Sequence, residues 1–285
     1  MHLDTDFEQH LKKRFNIEFS SIKVLTGGDI NSVYRLSARH QSYVLKLNNA
    51  ETFPDLFQKE ANGLNALKAC NAIDVPEVFG YGNFGSKTYL LLEYKPSGEK
   101  RKSFWKDFGH QLAELHRNTQ SQFGFFEDNY IGSLPQFNKH AQTASEFYIE
   151  QRLKPQFEIA AQKGYNFQSL NAFYRTIRSL IPEEPPALIH GDLWSGNYLV
   201  NTSHQPCLID PAVAYAPREM DLAMMKLFGG FNETLFVTYH EDFPLKDNWE
   251  KRIKLYQLYY VLSHLNLFGR TYYNQAKQIV SLYQE

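Results

Sequence analysis

The spacing of apolar residues changes character once along the chain, across residues 95–100, and that change limits what the chain can fold into. Before it, IKVLT, VYRLSA, SYVLKL and TYLLLEY read as strands, the last a continuous apolar run of the kind buried on both faces. Between the third and the fourth lies FPDLFQKEANGLNALKAC, in which Phe57, Ala61, Leu64 and Leu67 fall at helical spacing. Beyond the polar stretch KPSGEKR, where Pro96 and Gly98 break both periods, the text turns helical. SFWKDFGHQLAELHR puts Phe108, Leu112 and Leu115 on one stripe, residues 141–180 read as further helices, and Leu255, Leu258, Tyr259, Leu262 and Leu265 mark a nearly all-apolar, buried helix. The expected architecture is α+β in two lobes: a small β-rich lobe with one main helix over residues 1–94, a hinge at 95–100, and a larger, mainly α lobe over 101–285.

Composition removes several function classes. The 285 residues hold 30 Lys and Arg against 31 Asp and Glu, a balance that calls for no polyanionic partner, so nucleic acid is not expected. Cys70 and Cys207 stand alone, which gives neither a disulfide framework nor a Cys/His metal cluster and fits a reducing compartment. The N-terminal MHLDTDFEQHLKKRF is charged throughout and no apolar run approaches the roughly 20 residues of a membrane span, so a cytoplasmic protein without membrane contact is expected. Phe and Tyr are abundant but dispersed, which favours a core role over a stacking surface.

The exception within the helical half is ALIHGDLWSGNYLVN followed by PCLIDPA, two short apolar runs flanking polar residues. Phosphoryl transfer from a nucleotide needs metal ions on the phosphates, a cation beside them, and a carboxylate that orients and deprotonates the acceptor hydroxyl. His190-Gly191-Asp192, four residues and then Asn197 has the spacing of the kinase catalytic loop, with Gly in the Arg place. Asp192 takes the position of the base, and Asn197 and Asp210 those of oxygen ligands for Mg²⁺. Lys46, in the strand YVLKL, matches a phosphate-contacting lysine, with Glu60 on the following helix as its ion-pair partner. Gly27 and Gly28, in the first strand-to-strand turn, would let backbone N–H groups approach phosphates. Singly these signals are weak: GG is ordinary in a hairpin, a strand lysine is usually solvated, and Glu60 is one helix carboxylate among many. The ordered set Asp192, Asn197 and Asp210 carries the reading against the alternative of a capped turn between two strands.

HGDLWSGN at 190–197, IDPA at 209–212, GGDIN at 27–31, FGFFEDNYIGSLPQFN at 123–138 and REMDLAMMKLFGGF at 218–231 together resemble the fructosamine-3-kinase (ketosamine kinase) family. That family is a branch of the protein-kinase-like phosphotransferases that also includes aminoglycoside and choline kinases. The resemblance implies a protein-kinase-like two-lobe fold with ATP between the lobes, Glu93 and Tyr94 offering backbone groups to adenine. It implies as acceptor the 3-hydroxyl of a ketosamine, a ribulosamine, erythrulosamine or fructosamine adduct on an amine or a protein lysine, and deglycation as the outcome. Trp194 would stack on a sugar face or simply pack; Asn129, Gln136 and Asn138 would contact the sugar or form a hydrogen-bonded loop. Asp221 would brace the catalytic loop, while His116 and His264, beside leucines, read as satisfied core histidines. Asp29 stands where some family members carry a cysteine linked to redox dimerisation, so that switch is not expected, and its carboxylate lies where phosphates should pass. The competing readings are a kinase of an aminoglycoside, choline or related amino alcohol, and a nucleotide-binding module without turnover.

Overall fold

The computed structural model describes residues 3–25 and 31–284. Helix α1 (Thr5–Phe15) leads into strands β1 (Phe19–Leu25), β2 (Ser32–Ala38) and β3 (Ser42–Asn49), then α2 (Leu56–Ala69), β4 (Val78–Phe84) and β5 (Lys87–Glu93). The strands form one antiparallel sheet in the order β1-β2-β3-β5-β4. Thr88 to Leu92 of β5 are buried without interruption because both faces of the strand are covered. Tyr89 and Leu91 pack with Phe7 and Leu11 of α1, and the alternate Leu90 and Leu92 pack with Phe57 and Leu64 of α2.

Two of these elements go beyond the sequence reading. In α1 only Phe7 and Leu11 are buried, too few to stand out among charges. Its ends are nevertheless well made, with Asp4 accepting from the Asp6 N–H at 3.0 Å, acids in the first turn, Lys12, Lys13 and Arg14 in the last, and Asn16 closing it in the left-handed region. Strand β4 is masked by its glycines, which close packing requires. A Cβ on Gly80 would sit 2.7 Å from the Phe15 ring and one on Gly82 2.8 Å from the Tyr89 hydroxyl.

The remainder is mainly helical: α3 (Phe104–His116), the hairpin β6 (Asn129–Ile131) and β7 (Leu134–Gln136), α4 (Ala144–Phe147), which continues through a π-helical turn Tyr148–Leu153 into α5 (Lys154–Gln162), and α6 (Leu170–Leu180). Strands β8 (Ala187–Ile189), β9 (Tyr198–Val200), β10 (Pro206–Leu208) and β11 (Ala214–Ala216) pair as β8 with β11 and β9 with β10. Helices α7 (Glu219–Phe228), α8 (Glu233–Asp242), α9 (Trp249–Phe268) and α10 (Tyr273–Ser281) complete the chain. As its composition predicts, α9 is buried along most of its length from Leu255 to Asn266. Among the described residues no helix is long and apolar enough to cross a membrane.

The sheet and the helical half share one core across the connection at 95–100: Leu90 and Leu92 cluster with Phe108 and Leu112 of α3 and Leu208 of β10. The connection itself is pinned. Gly98 N–H donates to Val200 O at 2.7 Å, and a Cβ there would lie 2.1 Å from Asn201 O. Lys95 Nζ stands 3.0 Å from Asp74 Oδ1, whose other oxygen accepts from Asn201 Nδ2 at 2.8 Å.

Candidate active site

A cleft of about 570 Å³ opens between the sheet and the helical half. Lys46, on β3, is buried there, with its Nζ 2.6 Å from Glu60 Oε1 and 2.5 Å from Asp210 Oδ1. Burial alone would lower the ammonium's pKa, but the charges of Asp210 and Glu60 outweigh it and the net shift is upward, so this lysine stays protonated. The three groups come from β3, from α2 and from the loop after β10. Helix α2 reaches this position because Gly63 lets it settle on the segment after Asp210, where a Cβ would lie 3.3 Å from Val213 Cγ2.

The loop between β8 and β9 is shaped from below by Asp221, on the first turn of α7 and wholly buried. Its Oδ2 accepts from His190 N–H at 2.8 Å and its Oδ1 from Gly191 N–H at 2.8 Å, while His116 Nε2 lies 3.2 Å from Oδ2. The His190 ring is buried, which pulls its pKa down and favours the neutral form. Its Nε2 pairs with Ile209 O at 2.9 Å and its Nδ1 accepts from Asp192 N–H at 3.3 Å, so one neutral tautomer ties the loop to the strand end that carries Asp210.

Gly191 has φ +83°, and a Cβ on it would fall 2.0 Å from Ala212 O. Gly191→Ala is therefore expected to cost at least about 1–2 kcal/mol from the left-handed backbone alone. The added clash displaces the loop, so urea denaturation should show the loss of stability and the coupled assay below should show turnover falling with it.

Asp192 is half-buried at the cleft floor. Burial first, then the Asp210 and Asp221 charges, push its carboxyl up to about 7, with the hydrogen bond from Asn197 pulling the other way. A carboxylate in that range is suited to accept a proton near neutral pH. Asn197 Nδ2 donates to Asp192 O at 2.9 Å and to Asp192 Oδ2 at 3.1 Å, so its amide oxygen is not the atom that binds the loop. Asp210 adopts φ +56°, an unusual backbone for a non-glycine residue, and keeps one carboxylate oxygen beyond the lysine. The donor set offered by Asp210 and Asn197 is oxygen only. That fits Mg²⁺, which takes one or two protein oxygens together with phosphates and water.

The other described residues named from the sequence lie at or behind the cleft wall. Gln136 and Asn138 are buried and fully engaged, and so serve as loop bracing and not as sugar contacts. Gln136 Nε2 donates to Asn129 Oδ1 at 2.7 Å and to Ala212 O at 2.9 Å, and its Oε1 accepts from the Tyr259 hydroxyl at 2.7 Å. Asn138 Nδ2 donates to Glu127 O at 3.0 Å, and its Oδ1 accepts from Arg152 Nη2 at 2.8 Å. Asn129 reaches the cleft wall, but its side-chain amide is committed to Val213 O at 2.8 Å. Glu93 and Tyr94 line the cleft with their N–H groups already donating to Glu77 O and Ser42 O, which leaves only carbonyls to offer a purine. Trp194 is 41% exposed and lies over Gly196, where a Cβ would come within 2.2 Å of the indole. His116 is buried with both ring nitrogens partnered, and His264 Nδ1 lies 2.8 Å from Tyr260 O. Gly27, Gly28 and Asp29 lie outside the described residues. Lys59, Tyr130 and Lys95 also line the cleft, and the sequence reading passed over them. The signal available for Lys59 was its place next to Glu60.

A five-stranded sheet, a pinned connection, a helical half and a Lys–Glu–Asp trio facing an Asp/Asn loop define a two-lobed phosphotransferase of the protein-kinase-like fold. An aminoglycoside phosphotransferase shares that fold at a TM-score of 0.66 and 16% identity over 97% of this chain and 98% of its own. The chain belongs to the fructosamine kinase family, whose model matches residues 2–284, and it is a kinase. It is 37% identical to a probable ketoamine kinase of Enterococcus faecium over 90% of this chain and 92% of that one. It is 33% identical to a chloroplastic protein-ribulosamine 3-kinase of rice over 93% of this chain and 79% of the rice protein. A solved structure of a fructosamine-3-kinase candidate from Thermobifida fusca superposes with a TM-score of 0.86 at 31% identity, covering 96% of each chain.

Proposed function

We propose that the protein transfers the γ-phosphoryl group of ATP to the 3-hydroxyl of a ketosamine. The observation that carries this reading is the meeting, in one cleft, of Lys46–Glu60–Asp210 with Asp192–Asn197. The adenine lies toward Glu93 and Tyr94, against the apolar Val44 and Leu92. Lys46, held in place by its two carboxylates, presents its ammonium to the phosphates. Asp192 accepts the proton of the acceptor hydroxyl as that oxygen bonds to the γ-phosphorus and the bond to ADP breaks. Asp210 and Asn197 would hold Mg²⁺, which neutralises phosphate charge when bound. Trp194, half-exposed at the cleft, offers an indole face to the sugar's C–H surface.

The ketosamine acceptor is supported by the relatives, one of which is named for ribulosamine. Deglycation follows from chemistry: a 3-phosphate is a far better leaving group than hydroxide, so the product loses phosphate and, on hydrolysis, releases the amine.

The test is an ADP-coupled assay with ribulosyl-lysine, fructosyl-lysine, kanamycin and choline as acceptors. Turnover on a ketosamine, with a new phosphate ester at C3 by ³¹P NMR, is the expected result; turnover on kanamycin or choline alone would overturn the acceptor. EDTA in excess of Mg²⁺ is expected to abolish turnover, and added Mg²⁺ to restore it; activity that survives chelation would remove Asp210 and Asn197 from the metal role.

A further inference from the structure

Among the described residues, the cleft is lined by the lysines 46, 59 and 95 and by the carboxylates Glu60, Glu93, Asp192 and Asp210. Lys46 is neutralised by Glu60 and Asp210, and Lys95 by Asp74 and Glu93. Lys59 has no carboxylate or hydrogen-bond acceptor for its ammonium among the described residues; its Nζ lies 5.1 Å from the centroid of the Tyr130 ring. It stands near the start of α2, where the helix dipole opposes a cation, and Asp55, the N-cap acid four residues before it, forms no ion pair with it among the described residues. A half-buried cation that breaks a local rule and faces a cleft is a functional candidate.

Its contact in the cleft is not that of Lys46: its ammonium lies over the Tyr130 ring of β6 and pairs with neither Glu60 nor Asp210. The purine end is at Glu93–Lys95, and the phosphates belong to Lys46 and Asp210. Lys59 lies where α2 meets the β6–β7 hairpin and the Tyr130 hydroxyl donates to Pro54 O at 3.0 Å. We propose that Lys59 selects the acceptor by charge, favouring ketosamines whose amine carries a nearby carboxylate and disfavouring polycationic acceptors. This rests on the ketosamine reading above. A ketosamine nitrogen is itself cationic, so an unpaired ammonium facing it is tolerated only where the acceptor brings an anion to meet it. The same ammonium repels an aminoglycoside.

The experiment compares two acceptors that differ only in that charge, N-ribulosyl-glycine and N-ribulosyl-glycinamide, by kcat/KM. The wild-type protein is expected to prefer the acid by about five-fold at low salt, mostly through KM, with the preference shrinking as ionic strength rises. Lys59→Gln should bring the ratio near one and Lys59→Glu should invert it, with KM for ATP unchanged in both. A lysine that only packs on Tyr130 would leave the ratio untouched, and equal use of the two acceptors by the wild-type protein overturns the proposal. So does a raised KM for ATP at an unaltered acceptor ratio, which would assign Lys59 to the phosphates. Failure on both compounds while ribulosyl-lysine is phosphorylated overturns this inference alone; failure on all the ketosamines overturns the ketosamine reading, and this inference with it.

Discussion

Replacing Asp192 with asparagine is expected to lower kcat by about 10²–10⁴-fold, the usual worth of a positioned general base, while ATP affinity and thermal midpoint stay near wild-type. The substitution keeps size and shape, and an amide oxygen can still accept the Asn197 hydrogen bond that spans 3.1 Å in the native loop. Its effect on stability should be slight or favourable. The native carboxyl is pushed up to about 7 by burial and by the facing Asp210 and Asp221, so ionising it works against the fold, and a neutral side chain removes that cost. The sign follows from the raised pKa: the penalty is absent below the ordinary carboxylate range, grows as pH rises, and is complete above about 7. The relief should therefore be larger at pH 8 than at pH 5. Steady-state kinetics, nucleotide titration calorimetry and thermal melts at those two pH values check the three parts. A loss of kcat below ten-fold would remove Asp192 from the role of base.

Much of this site was legible because its chemistry is written in short, ordered stretches. Asp192, Asn197 and Asp210 sit in loops whose spacing is fixed by the strands on either side, so their convergence survives without knowledge of the fold. The pairing of Lys46 with Glu60 was readable for a similar reason, one strand and the next helix being close in sequence. The contact of Lys46 with Asp210, across 164 positions, is no part of the sequence reading, because nothing local brings the loop after β10 to β3. Between the two roles open to Gln136 and Asn138, sugar contact or hydrogen-bonded loop, the sequence could not choose, because the choice turns on burial. Gln136 and Asn138 carry the same amides whether they face a sugar or the underside of a loop, and only the structure shows Ala212 O and Arg152 taking them. Helix α1 was overlooked because its apolar face is two residues wide, although the double-sided burial of β5 demanded a cover on its second face. Lys59 was passed over because a lysine on an amphipathic helix is ordinarily solvated; that it faces a cleft depends on where the β6–β7 hairpin docks.

Removal of Asp221 should have the larger effect on the fold. In Asp221→Ala the His190 and Gly191 N–H groups, each 2.8 Å from a carboxylate oxygen, lose their acceptor together with His116 Nε2, and all of this lies where the native side chain has no solvent exposure. A buried donor left unsatisfied costs about 1–3 kcal/mol, and this substitution strands at least the two backbone N–H groups of His190 and Gly191. A loss of about 3–5 kcal/mol by urea denaturation is therefore expected, a large share of a typical domain's stability. Asp221→Asn should fall between, because its amide oxygen can serve one of the two backbone N–H groups while its NH₂ is turned against the other, donor facing donor. The same variant separates bracing from chemistry. Asp221 reaches the reaction only through the position of residues 190–192, so Asp221→Asn should lower kcat by less than Asp192→Asn does and lose stability where that variant keeps it. Should Asp221→Asn instead match Asp192→Asn in kcat at native stability, Asp221 would belong to the reacting groups, and the loop would need another anchor.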